Sequence, residues 1–314
     1  MLPIFTIIHP LVDACSVSVL VAGGMSWERV IAYNAMAFAL QLPIGVAMDE
    51  WPSMNRGGFF AGTGLVFAAA VAAAFGIGGW GVLAAACVGN ALFHLTAGKH
   101  ILETREGCAG PIGLFISTGA LGLIAGQVWA AKAAPMCLSA FAAALGVCVL
   151  VAAACWRRVR DNAPYHEGIS AARRGRLAPP AVETSATLPT LVLVGLFALI
   201  AWRSWAALFA GERSAGGCAL MMLAGAAVTF VGKIAGGYLA EHVGCWKVTV
   251  FSVAGSAALA FLCDPSWAAA WLVLLFVAQL ATGPVLSLVY DKTNRRGGTA
   301  FGLNCLGLFI GSIA

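Results

Sequence analysis

Long uninterrupted runs of apolar residues divide this chain, and they constrain its fold more than any other feature. A helix needs about 20 mostly apolar residues to cross the hydrocarbon core of a bilayer. The chain contains eleven such segments, separated by short polar turns and one long polar loop. They cover residues 3–23, 29–48, 57–77, 81–100, 109–130, 135–155, 188–210, 215–238, 247–263, 267–289 and 297–314. The pattern predicts an all-α polytopic membrane protein with eleven transmembrane helices.

The composition indicates the same fold class and excludes most soluble functions. Of 314 residues, 61% are hydrophobic and 10% are charged, whereas an ordinary soluble domain has about 25% charged residues. A soluble protein cannot bury this much apolar surface, so lipid must surround most of the chain. We therefore exclude soluble enzymes, nucleic-acid-binding proteins and secreted disulfide-rich domains. The sequence has no G-x-x-x-x-G-K-[ST] phosphate-binding loop, and we expect no cofactor or bound metal.

Lysine and arginine are distributed unequally between the two sides of the predicted helices. With the N-terminus inside, thirteen of these residues fall on the inner side and four on the outer side. Because positive loops stay in the cytoplasm, we predict a cytoplasmic N-terminus and a multi-pass protein of the cell (inner) membrane.

The longest polar segment, residues 156–187, separates six predicted helices from five. It is rich in arginine and contains three prolines, which is typical of a linker. We therefore predict an N-terminal six-helix bundle at 1–155, a basic cytoplasmic linker at 156–187 and a C-terminal bundle of five helices at 188–314.

A similar short pattern follows the second and the eighth predicted helix. Each copy has a glycine four residues before a carboxylate and a basic residue further on; the copies are Gly45, Asp49 and Arg56, and Gly237, Glu241 and Lys247. Gly237 follows Gly45 by 192 residues, about the length of six helices and the linker. This repetition predicts two parallel, pseudo-symmetric bundles, a common plan among secondary transporters. We expect each carboxylate to cap the next helix and to pair with the base, as a conformational latch.

The second copy, from Gly237 to Lys247, resembles the G-x-L-A-D-x-x-G-x-[RK]-[RK] loop of the major facilitator superfamily, with Glu241 in place of the aspartate. Other segments resemble the fosmidomycin-resistance-like efflux branch of that superfamily; they are residues 89–94, 198–205, 279–284 and 295–303. The resemblance implies two bundles that rock about a central cavity, which helices 1, 4, 7 and 10 line. Because members usually have twelve helices, we expect the natural protein to continue beyond Ala314.

Polar residues inside the first and fourth helices form a candidate proton site. His9 and Asp13 are four residues apart, as are Asn90 and His94, so each pair shares one helix face. If both helices face the cavity that the resemblance implies, the four side chains form one cluster. Imidazoles titrate near neutral pH, so we assign proton coupling to Asp13, His9 and His94, and substrate binding to Asn90. A hydrogen-bonded packing cluster is the alternative.

The seventh and tenth helices carry the candidate substrate residues of the second half. Arg203 lies well inside the seventh helix between Trp202 and Trp205. We expect its guanidinium to bind an anionic group, with the indoles covering apolar parts of the substrate and Gln279 as a further ligand. Snorkelling of Arg203 to the outer headgroups is the alternative. For Lys233 of the eighth helix we expect pairing with Glu241 or snorkelling.

These features predict a secondary active transporter that moves a small molecule by alternating access. We expect proton-coupled efflux, by antiport, of a drug-like or anionic compound, by a monomer whose partners are substrate, protons and membrane lipids. The alternative is uptake or facilitated transport of a small solute or a divalent metal ion, since two imidazoles and a carboxylate are suitable metal ligands. A membrane enzyme that uses Asp13 and His94, and a receptor or scaffold without transport, are further alternatives.

Overall fold

The computed structural model describes residues 1–51, 53–158, 187–215, 219–262 and 267–313, which form helices and turns without a strand. Each of the eleven predicted helices is present among these residues, with its ends shifted by a few positions. The predicted all-helical fold class is therefore confirmed. The predicted linker, 156–187, lies outside the described residues except at its two ends.

Six helices form the N-terminal half of the molecule. They are α1 (Leu2–Ala22), α2 (Trp27–Glu50), α3 (Met54–Ala74), α4 (Trp80–Thr104), α5 (109–132) and α6 (134–158). Within α2, residues Ala35–Ala39 form a π-helical turn, a local widening that is often found at functional sites.

Helices α5 and α6 come from one stretch of helical residues, Ala109–Arg158, which turns back on itself at Ala133. The torsion angles of Ala133 (φ −154°, ψ 59°) are not helical, and Pro135 follows without a backbone N–H. The rings of Trp129 and Phe141 stack with their centroids 5.9 Å apart. In a straight helix twelve residues would span about 18 Å, so α5 and α6 pack side by side.

Five described helices form the C-terminal half. They are α7 (Thr187–Ala215), α8 (Ala219–Val243), α9 (Cys245–Leu262), α10 (Ala268–Gln279 and Thr282–Lys292) and α11 (Gly297–Ile313). Helix α10 is interrupted at Leu280 and Ala281, because Pro284 has no N–H to donate to the Leu280 carbonyl. That carbonyl lies against Gly236 of α8, where a Cβ would collide with it.

The helices have the length and surface of membrane spans. Eight described helical stretches are long and apolar enough to cross a membrane, and the longest of them, Ala109–Cys155, contains both α5 and α6. Large apolar side chains face outward: Phe75 is 82% exposed and Leu150 is 73% exposed. Water disfavours such a surface, whereas lipid tails solvate it. The chain is therefore a multi-pass membrane protein.

The two halves meet at one end of the molecule, where α2, α4 and α8 end and α5 and α11 begin. We call it the inner end, because the charge pattern predicts that it faces the cytoplasm. Gly45 of α2 contacts the backbone of Gly298 in α11, and Gly237 of α8 contacts the backbone of Ala109 in α5. A Cβ on either α2 or α8 glycine would collide with the opposite backbone. Glycine thus permits close helix approach at both crossings.

Candidate functional site

His9 and Asp13 of α1 form one buried polar cluster with Asn90 and His94 of α4. Asp13 Oδ2 lies 3.2 Å from His9 Nε2, and Asp13 Oδ1 lies 3.4 Å from His94 Nε2. Asn90 Nδ2 donates a 2.9 Å hydrogen bond to Asp13 Oδ1. Only 5% of Asp13 is exposed. The structure thus brings together the four residues that the helical spacing places on two matching faces.

Backbone carbonyl groups orient both imidazoles of this His–Asp cluster. His9 Nδ1 lies 2.7 Å from the Phe115 oxygen, and His94 Nδ1 lies 2.9 Å from the Asn90 oxygen. Because a carbonyl oxygen only accepts, each Nδ1 carries a hydrogen, and each neutral ring presents a lone pair at Nε2. The two Nε2 atoms are only 2.7 Å apart. Two lone pairs repel at this distance, so the arrangement requires a cation between the rings, such as a proton, with the Asp13 carboxylate as its counter-ion.

Helix α5 has a glycine, Gly119, at the point where it packs against this cluster, and the missing side chain makes room for the cluster. A Cβ on Gly119 would lie 2.6 Å from both Asp13 Oδ2 and His9 Nε2. One and two turns further on, Gly122 and Gly126 of α5 contact the α1 backbone at Pro10 and Ala14. A glycine row with small-residue spacing therefore seats α1 against α5 and places the cluster within it.

Arg203 of α7 lies opposite, in the C-terminal half, and is 5% exposed. Its Nη1 donates hydrogen bonds to Gln279 Oε1 at 3.2 Å and to Thr282 Oγ1 at 2.8 Å. These two acceptors flank the interruption of α10, and both are uncharged. Arg203 Nε is buried without a hydrogen-bond partner among the described residues. The guanidinium is thus held inside the bundle, not at the headgroups.

Lys233 of α8 points toward the other bundle, which corrects our expectation that it pairs with Glu241 or snorkels. Its Nζ donates to the Ile116 carbonyl of α5 at 3.4 Å. It interacts electrostatically with Arg203 in its own bundle and with Asp13 across the interface. Lys233 shares a face of α8 with Gly237 and Glu241, because the three are four residues apart. That spacing was the available signal that it faces α5.

Trp202 and Trp205 pack within the C-terminal bundle, and the contact that we expect between their indoles and apolar parts of the substrate stays a prediction. Their ring centroids are 5.1 Å apart, and Trp202 Nε1 donates to Ser256 Oγ of α9 at 3.4 Å. Both indoles join an apolar cluster around Trp271 of α10. Residues 202 and 205 share a helix face that residue 203 does not, so the interleaved arginine points elsewhere.

At the inner end, Asp49 of α2 caps a helix of the opposite bundle. Its Oδ1 accepts from the backbone N–H of Gly298 at 2.9 Å, and its Oδ2 accepts from that of Thr299 at 2.7 Å. Thr299 Oγ1 also donates to Oδ2 at 2.7 Å, and Lys99 Nζ of α4 donates to Oδ1 at 2.8 Å. A carboxylate at these N–H groups is favoured by the positive end of the α11 dipole. We expected Asp49 to cap the following helix, α3. The structure shows that it caps α11 of the opposite bundle instead.

Glu241 of α8 makes the corresponding contact on the other side of the molecule. Its Oε1 accepts from the backbone N–H of Gly110, at the start of α5, at 3.1 Å. Asp49 and Glu241 are 192 residues apart, like Gly45 and Gly237. The repeat in the sequence therefore corresponds to a pair of crossings, α2 on α11 and α8 on α5.

The predicted bases of the two latches differ from the observed arrangement. The cation that pairs with Asp49 is Lys99, which also pairs with Glu103, whereas Arg56 is exposed at the start of α3. Lys247 is exposed in the first turn of α9. An ion pair between the two bundles joins Glu50 to Arg296. Lys99 was overlooked because it lies far along the chain, although the end of α4 lies beside that of α2.

Comparison with known proteins supports the fold. No family model and no curated protein matches the sequence. The solved structures include the Escherichia coli fucose:proton symporter FucP (N162A), with a TM-score of 0.60, 14% identity, and coverage of 98% of this chain and 88% of that chain. A second structure, of FucP as a major facilitator superfamily transporter in the outward conformation, has a TM-score of 0.61 at 14% identity and covers 98% and 89% of the two chains. Membership of the fosmidomycin-resistance-like branch stays a prediction. The chain has the fold of a major facilitator superfamily transporter.

Proposed function

We propose that the protein is a secondary active transporter that moves a small molecule by alternating access and couples this movement to protons at His9, Asp13 and His94. One observation carries the proposal. Two imidazoles whose Nε2 atoms are 2.7 Å apart lie beside a buried carboxylate within the N-terminal bundle. An ionisable cluster at this depth in a membrane is energetically costly. Its presence therefore indicates a function. The fold that this chain shares with the fucose:proton symporter FucP supports both parts of the proposal.

The division of the polar groups between the bundles suggests a working cycle. The His–Asp cluster belongs to α1 and α4, whereas Arg203 and Gln279 belong to α7 and α10. A proton that enters or leaves the cluster changes the charge that the N-terminal bundle presents to the other bundle. The substrate occupies the space between them, with Asn90 and Gln279 as candidate polar contacts. Rocking of the bundles then exposes this site to each side in turn.

The inner-end contacts act as the latch of this cycle. Asp49 and Glu241 each hold the first N–H groups of a helix in the opposite bundle. Both contacts must break before the central site opens toward the cytoplasm. They lie at glycine crossings that let backbones touch, so the latch separates as two rigid surfaces and not as flexible loops.

For direction and cargo we propose proton-coupled efflux of a drug-like or anionic compound, with uptake as the alternative. Everted membrane vesicles with a pH-sensitive dye test this directly. Amphipathic drugs, phosphonates and organic anions are added in turn to an energised proton gradient. We expect one class to dissipate the gradient with the parent protein and not with Asp13→Asn. Asp291→Asn, an exposed carboxylate variant at the end of α10, is the matched control. Equal dissipation with Asp13→Asn would contradict coupling through the cluster.

Transport of a divalent metal ion is the second candidate, favoured by the same geometry. His9, Asp13 and His94 offer three ligand atoms within 4.8 Å of one another. The Nδ1 atoms of the two histidines hydrogen-bond to backbone carbonyls. Metal-binding histidines are oriented by the same kind of hydrogen bond on the ring nitrogen that does not bind the metal. Zn²⁺ or Co²⁺ quenching of tryptophan fluorescence, lost in His94→Ala, would favour this candidate. Gradient dissipation by organic compounds alone would exclude it.

A further inference from the structure

Two cations of the C-terminal bundle, Arg203 and Lys233, lie inside the transmembrane region, and no carboxylate of the described residues forms an ion pair with either, although Asp13 attracts Lys233 across the interface. In the part of the chain that the structure describes, Asp13 is the one carboxylate in the middle of a helix, and the others lie in loops or near helix ends. His9, His94 and Asn90 already engage Asp13. An unbalanced charge at the bilayer centre is unfavourable. The arrangement therefore lacks a negative charge.

Arg203 is prepared for an additional acceptor. Its Nη1 is held by two uncharged oxygens of α10, those of Gln279 and Thr282, which fix the plane of the guanidinium. Its Nε has no partner among the described residues although the residue is 5% exposed. Together with Nη2, Nε forms the edge of the guanidinium that receives two oxygens of a carboxylate or phosphate group. A buried donor left without an acceptor destabilises the protein, so the unpaired Nε of Arg203 indicates a ligand.

Lys233 brings a second positive charge to the same region. Gly232, its neighbour in α8, packs close to Gln279, the residue that binds Arg203, because a Cβ added at Gly232 would lie 3.2 Å from the Gln279 Cβ. The Lys233 Nζ has one long hydrogen bond, 3.4 Å, to the Ile116 carbonyl. Lys233 and Arg203 carry like charges, and their electrostatic interaction is repulsive. A shared anion removes this repulsion and supplies acceptors to both groups.

We propose that Arg203 and Lys233 bind one oxyanion, the carboxylate or phosphonate group of a small organic molecule. Two oxygens of this group accept from the Nε edge of Arg203, and Lys233 Nζ donates either to one of the same oxygens of a carboxylate or to the third oxygen of a phosphonate. A halide ion is a single atom without the two oxygens that the Nε–Nη2 edge of Arg203 can bind. It is therefore a poorer ligand. This inference rests on the proposed function, because it takes the bound anion to be the transported substrate. It restricts the substrate class to anionic compounds.

Binding to the purified full-length protein tests the oxyanion site without measuring transport. Succinate, methylphosphonate and inorganic phosphate are titrated by calorimetry, with succinamide as the uncharged probe. We expect at least one oxyanion to bind and succinamide not to bind. Arg203→Gln and Lys233→Gln should each weaken binding by about tenfold or more, since each removes a charge-assisted hydrogen bond. Arg203→Lys, which keeps the charge and loses the fork, should give a partial loss. Lys132→Gln, at an exposed lysine of α5, should bind like the parent.

The unfolding temperature of the protein provides a second test, which does not depend on ligand binding by a variant that folds poorly. Without any oxyanion, Lys233→Met should unfold at a higher temperature than the parent, because it removes one of two repelling cations. A lower temperature would indicate that the lysine is balanced by a group within the protein and would contradict the proposal. So would equal binding of succinamide, an absence of binding by every oxyanion, or unchanged affinity in Lys233→Gln.

Asp13→Asn separates the oxyanion site from the proton-coupling proposal. Oxyanion binding that depends on Arg203 and Lys233 and persists in Asp13→Asn supports the site, even if no proton movement is found. Proton-coupled transport of an uncharged compound, with no oxyanion binding, supports the coupling and rejects the site.

Discussion

The Nε2 atoms of His9 and His94 face each other at 2.7 Å, while the Nδ1 atom of each ring contacts a backbone carbonyl. Both carbonyls require a hydrogen on Nδ1, so the short contact requires a cation between the rings. Asp13 supplies the balancing charge at 3.2 Å and 3.4 Å from the two Nε2 atoms. The N-terminal bundle is therefore built to hold one positive charge.

His94→Gln should uncouple transport from pH. A glutamine amide can donate to His9 Nε2 without an added proton, so the contact no longer requires a cation. We expect transport by the variant to lose the pH dependence that the parent shows between about pH 5 and 8. The measurement is the initial rate of transport in proteoliposomes as a function of pH. His100→Gln, at the inner end of α4, is the matched control, and an unchanged pH profile in His94→Gln would contradict the assignment.

Gly119→Ala should damage the His–Asp cluster. The added Cβ would lie 2.6 Å from Asp13 Oδ2 and His9 Nε2, so the cluster or α5 must move. We expect a loss of about 1–3 kcal/mol in stability together with reduced transport. Gly64→Ala is the control, because no atom lies within 4 Å of its Cβ position. Thermal unfolding and transport of both variants check this, and equal behaviour would reject the tight packing.

Asp49→Asn should loosen the first turn of α11. The variant loses the charge that pairs with Lys99 and that attracts the N–H groups of Gly298 and Thr299. We expect hydrogen exchange at these two amides to accelerate by about tenfold, which corresponds to about 1.4 kcal/mol. Mass spectrometry of the exchanged protein measures it. Glu28→Gln, at the opposite end of α2, should leave α11 unchanged.

Glu241→Gln tests whether the second latch is equivalent to the first. We expect faster exchange at Gly110, where Glu241 accepts a hydrogen bond, and little change at Gly298. Faster exchange at α11 alone would show that the two crossings are not independent copies of one device.

The helices and the His–Asp cluster are predictable from sequence because both depend on local spacing. Apolar length determines the spans, and the i, i+4 spacing places His9 with Asp13 and Asn90 with His94. The link between these two pairs came from a resemblance that placed α1 and α4 on one cavity. No local pattern could supply it.

The sequence did not predict which residues the latch carboxylates and Lys233 contact in space. Asp49 pairs with Lys99 and α11, not with Arg56, because the nearest charge in sequence is not the nearest in space. Lys233 corresponds to Gln41 in the 192-residue repeat, and both residues face the opposite bundle along with the latch glycines. Gln41 is buried, and its Oε1 has no hydrogen-bond partner in the part of the chain that the structure describes.

Accumulation of substrate in proteoliposomes against an imposed pH gradient tests proton coupling most directly. The comparison is between the parent and Asp13→Asn, with equilibrium exchange of labelled substrate measured on the same vesicles. We predict that the parent accumulates substrate when the proton gradient is present and that Asp13→Asn retains exchange without accumulation. Accumulation by Asp13→Asn to the parental level would contradict the assignment of proton coupling to the cluster.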